Sequence, residues 1–445
     1  MRSGKTEQGR SRRCAASVLA LLALFASSCG GGGDGGATLP RWGDAMTLAP
    51  ASQGPQAVID AQGTATVVWM NLDGRTSAAR GSAASGWTAA VDFDPAFTPL
   101  FVGPMSPVAA GSQTVATWIN HASPNDFVVR ASAFDATWLP ADTLTSTDFG
   151  GHFAIAGSDD GSLLAVWVEF DGAAYRVVSS RKSGSGPWVT AGTVSSSTSS
   201  SPSWPVAAIN SQGECVALWL QDSRVVAARL ARGSGAWTLP MEIENSEGAF
   251  GVQPQVVALR NGRFAAAWAQ AVDGRWSVYG SSLTTSGWQR AVLLEHDDRG
   301  DAGSVHLGRE GPASARAVWL QTDGGWASTI QTSRFGAQGW DASSRAVVPL
   351  APSLMRYEPR VVSDRLGNSL VAWQARPLGA GLSRIEYTYR AVGAAEWPAP
   401  GYLSGAEVGP STSPALAMND DGRAVVAWTA LNGARTTTVV RLLQP

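Results

Sequence analysis

Tryptophan returns along this chain at a nearly fixed interval. Trp69, Trp118, Trp167, Trp219, Trp268, Trp319, Trp373 and Trp428 follow one another at spacings of 49, 49, 52, 49, 51, 54 and 55, each ending a short apolar run such as that from Ala65 to Trp69. So constant a period implies one supersecondary unit used eight times, which buries its apolar faces only by stacking on its neighbours. Within a unit the signals are those of strands and tight turns. Pro55, Pro107, Pro205, Pro254, Pro359 and Pro414 are expected to open a first strand, where a missing N–H is tolerated. Gly63, Gly161, Gly213, Gly262, Gly367 and Gly422, six residues before their tryptophans, predict a turn into a second strand. Its nearly unbroken small and β-branched residues imply burial on both faces. Asp73-Gly74, Asp171-Gly172, Asp273-Gly274, Asp323-Gly324 and Asn432-Gly433 then predict hairpins, of type I′ where both central residues take positive φ. A third, more polar strand carries arginines. A second tryptophan series, Trp87, Trp138, Trp188, Trp237, Trp288, Trp340 and Trp397, opens a fourth.

The eighth unit stops at Pro445 after its third strand, while Arg41 to Leu48, with Trp42, stands unpaired ahead of the first unit. Joining the two completes both tryptophan series and closes a ring with no exposed ends, whereas a linear stack of hairpins would have no use for the permutation. In period and strand count the chain resembles the β-propeller superfamily in general, without matching a named family. The resemblance implies an all-β, eight-bladed β-propeller of four-stranded antiparallel blades over residues 41–445, its ring closed by the N-terminal strand. Charged residues make up only 15% of the chain, in keeping with many buried strands.

Ahead of the repeats lies a leader. Five basic residues between Arg2 and Arg13 precede a mostly apolar run of 12 residues, Ala15 to Ala26, and then small residues, the layout of a secretory signal over 1–28. Such a run is shorter than the ~20 residues a membrane span needs. Ala26-Ser27-Ser28-Cys29 resembles the lipobox of bacterial lipoproteins, with alanine where leucine is usual. That resemblance implies acylation of Cys29, a stable anchor by more than one acyl chain, and, with Gly30 next, an outer-membrane address. Residues 29–40, rich in glycine, read as a tether. Without the leader the chain carries 28 basic and 34 acidic residues and no basic cluster, which argues against nucleic acid as a partner. Only Cys215 would remain as a thiol, so no internal disulfide is expected.

Chemistry is harder to find than fold. No nucleophile elbow, phosphate loop, zinc signature or cofactor motif occurs. The histidines, His121, His152, His296 and His306, lack metal-ligand spacing, and no metal or cofactor is expected. Third-strand arginines, Arg80, Arg130, Arg181, Arg229, Arg334, Arg390 and Arg441, could form an arginine triad of the sialidase kind or simply protect blade edges. Asn71, Asn120, Glu169, Gln221, Gln270 and Gln321 lie two residues past a second-strand tryptophan, and Gln374 one past. Such a rim could hydrogen-bond a sugar or peptide, or satisfy backbone groups where each hairpin starts. Trp204, Trp276 and Trp326 fall outside both series, as candidates for an aromatic platform or as loop packing. The expected function is therefore a non-catalytic, membrane-anchored binding or scaffold module for a protein or glycan; the alternative is a glycan-active hydrolase or lyase working at the central channel.

Overall fold

The computed structural model describes residues 40–92, 106–123, 126–145, 149–195, 201–244, 250–405 and 409–445. The leader, Cys29 and most of the tether lie outside them. Pro40–Pro445 form one compact unit. Eight antiparallel sheets follow one another as blades of a β-propeller, seven of them built in chain order from an inner strand outward. Blade one is typical: Ser52–Ile59 inside, then Ala65–Asn71 and Thr76–Ser82, with Gly86–Trp87 and Val91–Asp92 both pairing the third strand from outside. The edge is thus two short pieces, which leaves little unpaired backbone to recruit another chain.

Blade eight supplies its first three strands from the C-terminus, Ser411–Met418, Ala424–Asn432 and Arg435–Gln444. Its outer edge comes from the other end of the chain. Arg41 and Trp42 pair with Gln444 and Leu443, and Met46–Pro50 pair with residues 437–440 of the same strand. The closure inferred from the unpaired segment is therefore present. Further in, the Ser52 hydroxyl bonds Thr438 Oγ1 at 2.8 Å, fastening blade one to blade eight.

The core lies between blades. Seven of the eight second-strand tryptophans are fully buried and Trp167 is 5% exposed. Each packs into clusters drawn from neighbouring sheets; Trp69, Trp118, Val425 and Val440 share one. The second series reaches backward to the preceding blade: Trp42 meets Tyr387 edge-on at 5.2 Å, and the indole N–H of Trp237 donates to Ser179 Oγ at 2.9 Å.

Two sequence expectations are corrected in detail. Proline does not open the inner strand. Pro205, Pro254, Pro359 and Pro414 each lie within one, inside a break in the ladder. Of the Asp-Gly and Asn-Gly turns, only Asp273-Gly274 has positive φ at both central residues, 53° and 80°. Among the described residues the other such turn is Asp222-Ser223, with φ of 52° and 63°, where short polar residues serve in place of glycine.

Candidate functional site

Seven inner strands share one irregularity near their start. A residue takes left-handed φ and the pairing slips beside it: Gly54, Gly151, Trp204, Gln253, Ser304, Glu358 and Ser413. This is a β-bulge, a device that re-aims a side chain. Glycine accepts the geometry freely, but for a residue as bulky as tryptophan it is a true outlier, held at a cost of about 1–3 kcal/mol by its surroundings. Five of the seven line one mouth of the central channel, a cavity of about 520 Å³. The volume suits a small ligand, for which about 300–1,000 Å³ is usual.

Trp204, with φ of 51°, is 62% exposed there. Its ring lies 4.9 Å from that of His152, tilted by 37°. Burial pulls the His152 imidazole below its ordinary value, so at neutral pH the pair is an uncharged aromatic surface. Gln253, Gln255 and Ser304 add hydrogen-bonding groups. Among the described residues this mouth is lined by one carboxylate, Glu358, and one guanidinium, Arg360. Burial lowers the affinity of Arg360 for its proton, and Glu358 partly offsets that. Apolar stacking beside a few aimed polar groups can hold a sugar ring or an amphipathic peptide.

The carboxamide series occupies a different place. Asn71, Glu169, Gln221 and Gln270 accept the indole N–H of the tryptophan two residues earlier, at 3.0, 2.7, 3.1 and 2.9 Å. Gln270 and Gln321 are fully buried and Asn120 is 5% exposed. The Gln321 amide donates to the carbonyls of Asp297 and Gly300. Gln374, one residue out of step, falls on the opposite face of its strand. In that blade Glu386, directly across from Trp373, accepts its indole N–H at 2.8 Å. Of the unassigned tryptophans, Trp276 is half-buried with its edge toward Phe250, while Trp326 is 75% exposed on the turn after a second strand. That turn and the bulges share a face of the ring, because second strands end where first strands begin.

Third-strand arginines are engaged, some within their own blade and some with the next: Arg181 donates to the carbonyl of Gly213 in blade four at 3.2 Å. Arg80 pairs with buried Asp60 at 3.0 Å, and Arg229 with Glu214. No group of three metal-ligating side chains occurs among the described residues. The acids of the His296 loop are taken up by Arg275, Arg299 and the Trp276 amide.

At the opposite mouth, lined by the far ends of the inner strands, Arg260 bonds Asp159 at 3.1 Å and also Asp420. Arg309 reaches Asp159 at 3.3 Å. These side chains come from the third, fifth, sixth and eighth blades, so the ion pairs cross the opening.

Sequence reasoning missed the bulge ring, although it left a trace. Trp204-Pro205, Gln253-Pro254, Glu358-Pro359 and Ser413-Pro414 place different residues before the same recurring proline. The backbone thus repeats around the cavity while the side chain it aims there varies.

No family model and no curated protein matches the chain. Solved structures do. A lectin from Burkholderia pseudomallei superposes with a TM-score of 0.55 at 14% identity, covering 81% of this chain and 100% of the lectin. An ulvan lyase from a new polysaccharide lyase family gives a TM-score of 0.50 at 10% identity, covering 75% of this chain and 93% of the lyase. At such identities the likeness is one of fold.

Proposed function

We propose that this protein is an exported lipoprotein, anchored to the outer membrane through Cys29, whose propeller binds a glycan or a protein without transforming it, at the mouth ringed by the bulges. The observation that carries the reading is Trp204, a large aromatic held exposed in a strained backbone conformation beside an open cavity. Strain of this kind persists where the surroundings over-determine it, commonly at sites of function. The fold alone does not choose, since a lectin and a lyase share it. Favouring binding over hydrolysis, the mouth offers a single described carboxylate, whereas glycosidases generally need two, about 5–9.5 Å apart.

The site is tested by screening the protein on a glycan array and remeasuring any hit with Trp204→Ala. Loss of a stacked aromatic anchor weakens binding ~10-fold or more. Melting should be unaffected, because the ring is exposed. Equal affinity for both proteins would move the site elsewhere. The anchor is tested separately with Cys29→Ala, which should shift the protein from the membrane fraction to the soluble fraction. A variant that stays with the membrane would remove the lipid from the proposal.

A further inference from the structure

Away from the channel, positive charge gathers between blades six and seven. Arg316 near the start of one strand (Ser314–Thr322), Arg334 near the end of the next (Ser328–Gly336) and Arg390 at the end of blade seven's third strand (Arg384–Arg390) line one cleft of about 340 Å³. Among the described residues Glu310 is the single carboxylate lining it, and it already accepts from Arg316 at 2.7 Å and Arg334 at 3.1 Å. Three guanidiniums against one carboxylate leave a surplus of two positive charges. The contrast with other blades is informative. Arg80 and Arg229 each have a carboxylate of their own. Asp364, which holds the corresponding place in blade seven, is occupied by the backbone N–H groups of Gly367 and Asn368 and by the Asn368 amide. Arg390 therefore turns to a carbonyl, that of Ala394.

The cleft is partly withdrawn from water. Arg316 is 6% exposed, and its Nε has no protein partner among the described residues. The guanidiniums of Arg316 and Arg390 lie 5.6 and 5.8 Å from the Trp397 ring centre, at the outer reach of a cation–π contact. Burial first, and then Arg316, Arg345 and Arg334 nearby, make Arg390 a poorer base than usual, with Glu310 partly offsetting them. Guanidinium forks match the oxygen spacing of oxyanions, and screening is weaker in such a recess than at an open surface.

We propose that this cleft binds a tetrahedral oxyanion, a sulfate or phosphate group carried as a monoester on a larger ligand. A phosphate monoester, close to a dianion at neutral pH, balances the surplus charge; a sulfate monoester, a monoanion, balances half of it. The site is independent of the channel mouth, so either can fail while the other stands.

The test is calorimetric titration of protein purified from the complete chain with sodium sulfate, glucose 6-sulfate and glucose 6-phosphate at fixed ionic strength, with sodium chloride as control. Saturable binding of at least one oxyanion is expected, with none for chloride. The tighter of the two sugar esters names the group carried. Arg390→Gln should weaken binding ~10-fold or more, because it removes hydrogen bonds from a charged donor to the anion. Arg390→Lys, which keeps the charge and loses the fork, should also weaken it. No saturable binding by any of the three up to tens of millimolar overturns the proposal, and that result needs no variant to fold. Unchanged affinity in both variants overturns it equally.

Discussion

A buried indole carries one hydrogen-bond donor into an otherwise apolar core, and leaving it unpaired costs about 1–3 kcal/mol. Blades one, three, four and five meet that need with a side chain two residues along the same strand, blade seven with Glu386 from across the ladder. In blade eight Ala430 stands at the corresponding place and brings no acceptor. His306 is a second residue whose protonation state the fold fixes. Its Nδ1 accepts the backbone N–H of Val361 from the next blade at 3.2 Å, a bond that requires the neutral ring. Burial, reinforced by Arg360 alongside, pulls the imidazole down from 6.5 to about 3. Between those two values the unfolded chain holds a proton that the folded one refuses, so stability falls as pH drops below 6.5, by up to ~1.4 kcal/mol per unit. Glu244 acts in the opposite sense: burial raises it to about 7, and the stability it adds below 4.5 is lost as pH rises through 7. Comparing the protein with His306→Asn isolates the histidine. Denaturant midpoints measured from pH 7 to pH 4 should decline less steeply in the variant, and parallel slopes would count against the assignment.

At the level of the strand, the outer edge of blade eight invites the most direct challenge. Trp42 rests its edge on Tyr387 of blade seven and pairs with Leu443 of blade eight, so removing residues 40–48 uncovers a buried seam as well as a strand. Truncation there should lower the melting temperature of the whole body by several degrees or prevent folding; calorimetry showing an unchanged transition would mean the closing strand is dispensable. Strand order and closure were legible because they rest on repetition and on one missing piece, both visible in residue spacing. The bulges were not. A residue before proline ordinarily favours extended backbone, so Trp204 or Glu358 gave no local hint of positive φ, and only packing of eight sheets around an axis imposes it. The carboxamides were left open between two roles for a related reason. Their spacing from tryptophan was plain, but whether an amide points at solvent or at an indole depends on which face of the strand is buried.

For the molecule as a whole, a ring converts local pairings into global ones. Ser52 and Thr438, far apart in sequence, share a buried hydrogen bond, and the closing strand joins the two ends of the propeller in one sheet. No blade can leave without exposing two neighbours. The cross-channel ion pairs add ties between blades that do not touch side by side. Arg260 reaches Asp159 and Asp420 at once, and those contacts raise its hold on its proton despite burial. With that bar across the far opening, the passage through the ring has a floor. A polymer drawn through it like a thread through a bead would have to part these ion pairs, whereas an end or a branch dipping in from the other mouth leaves them whole.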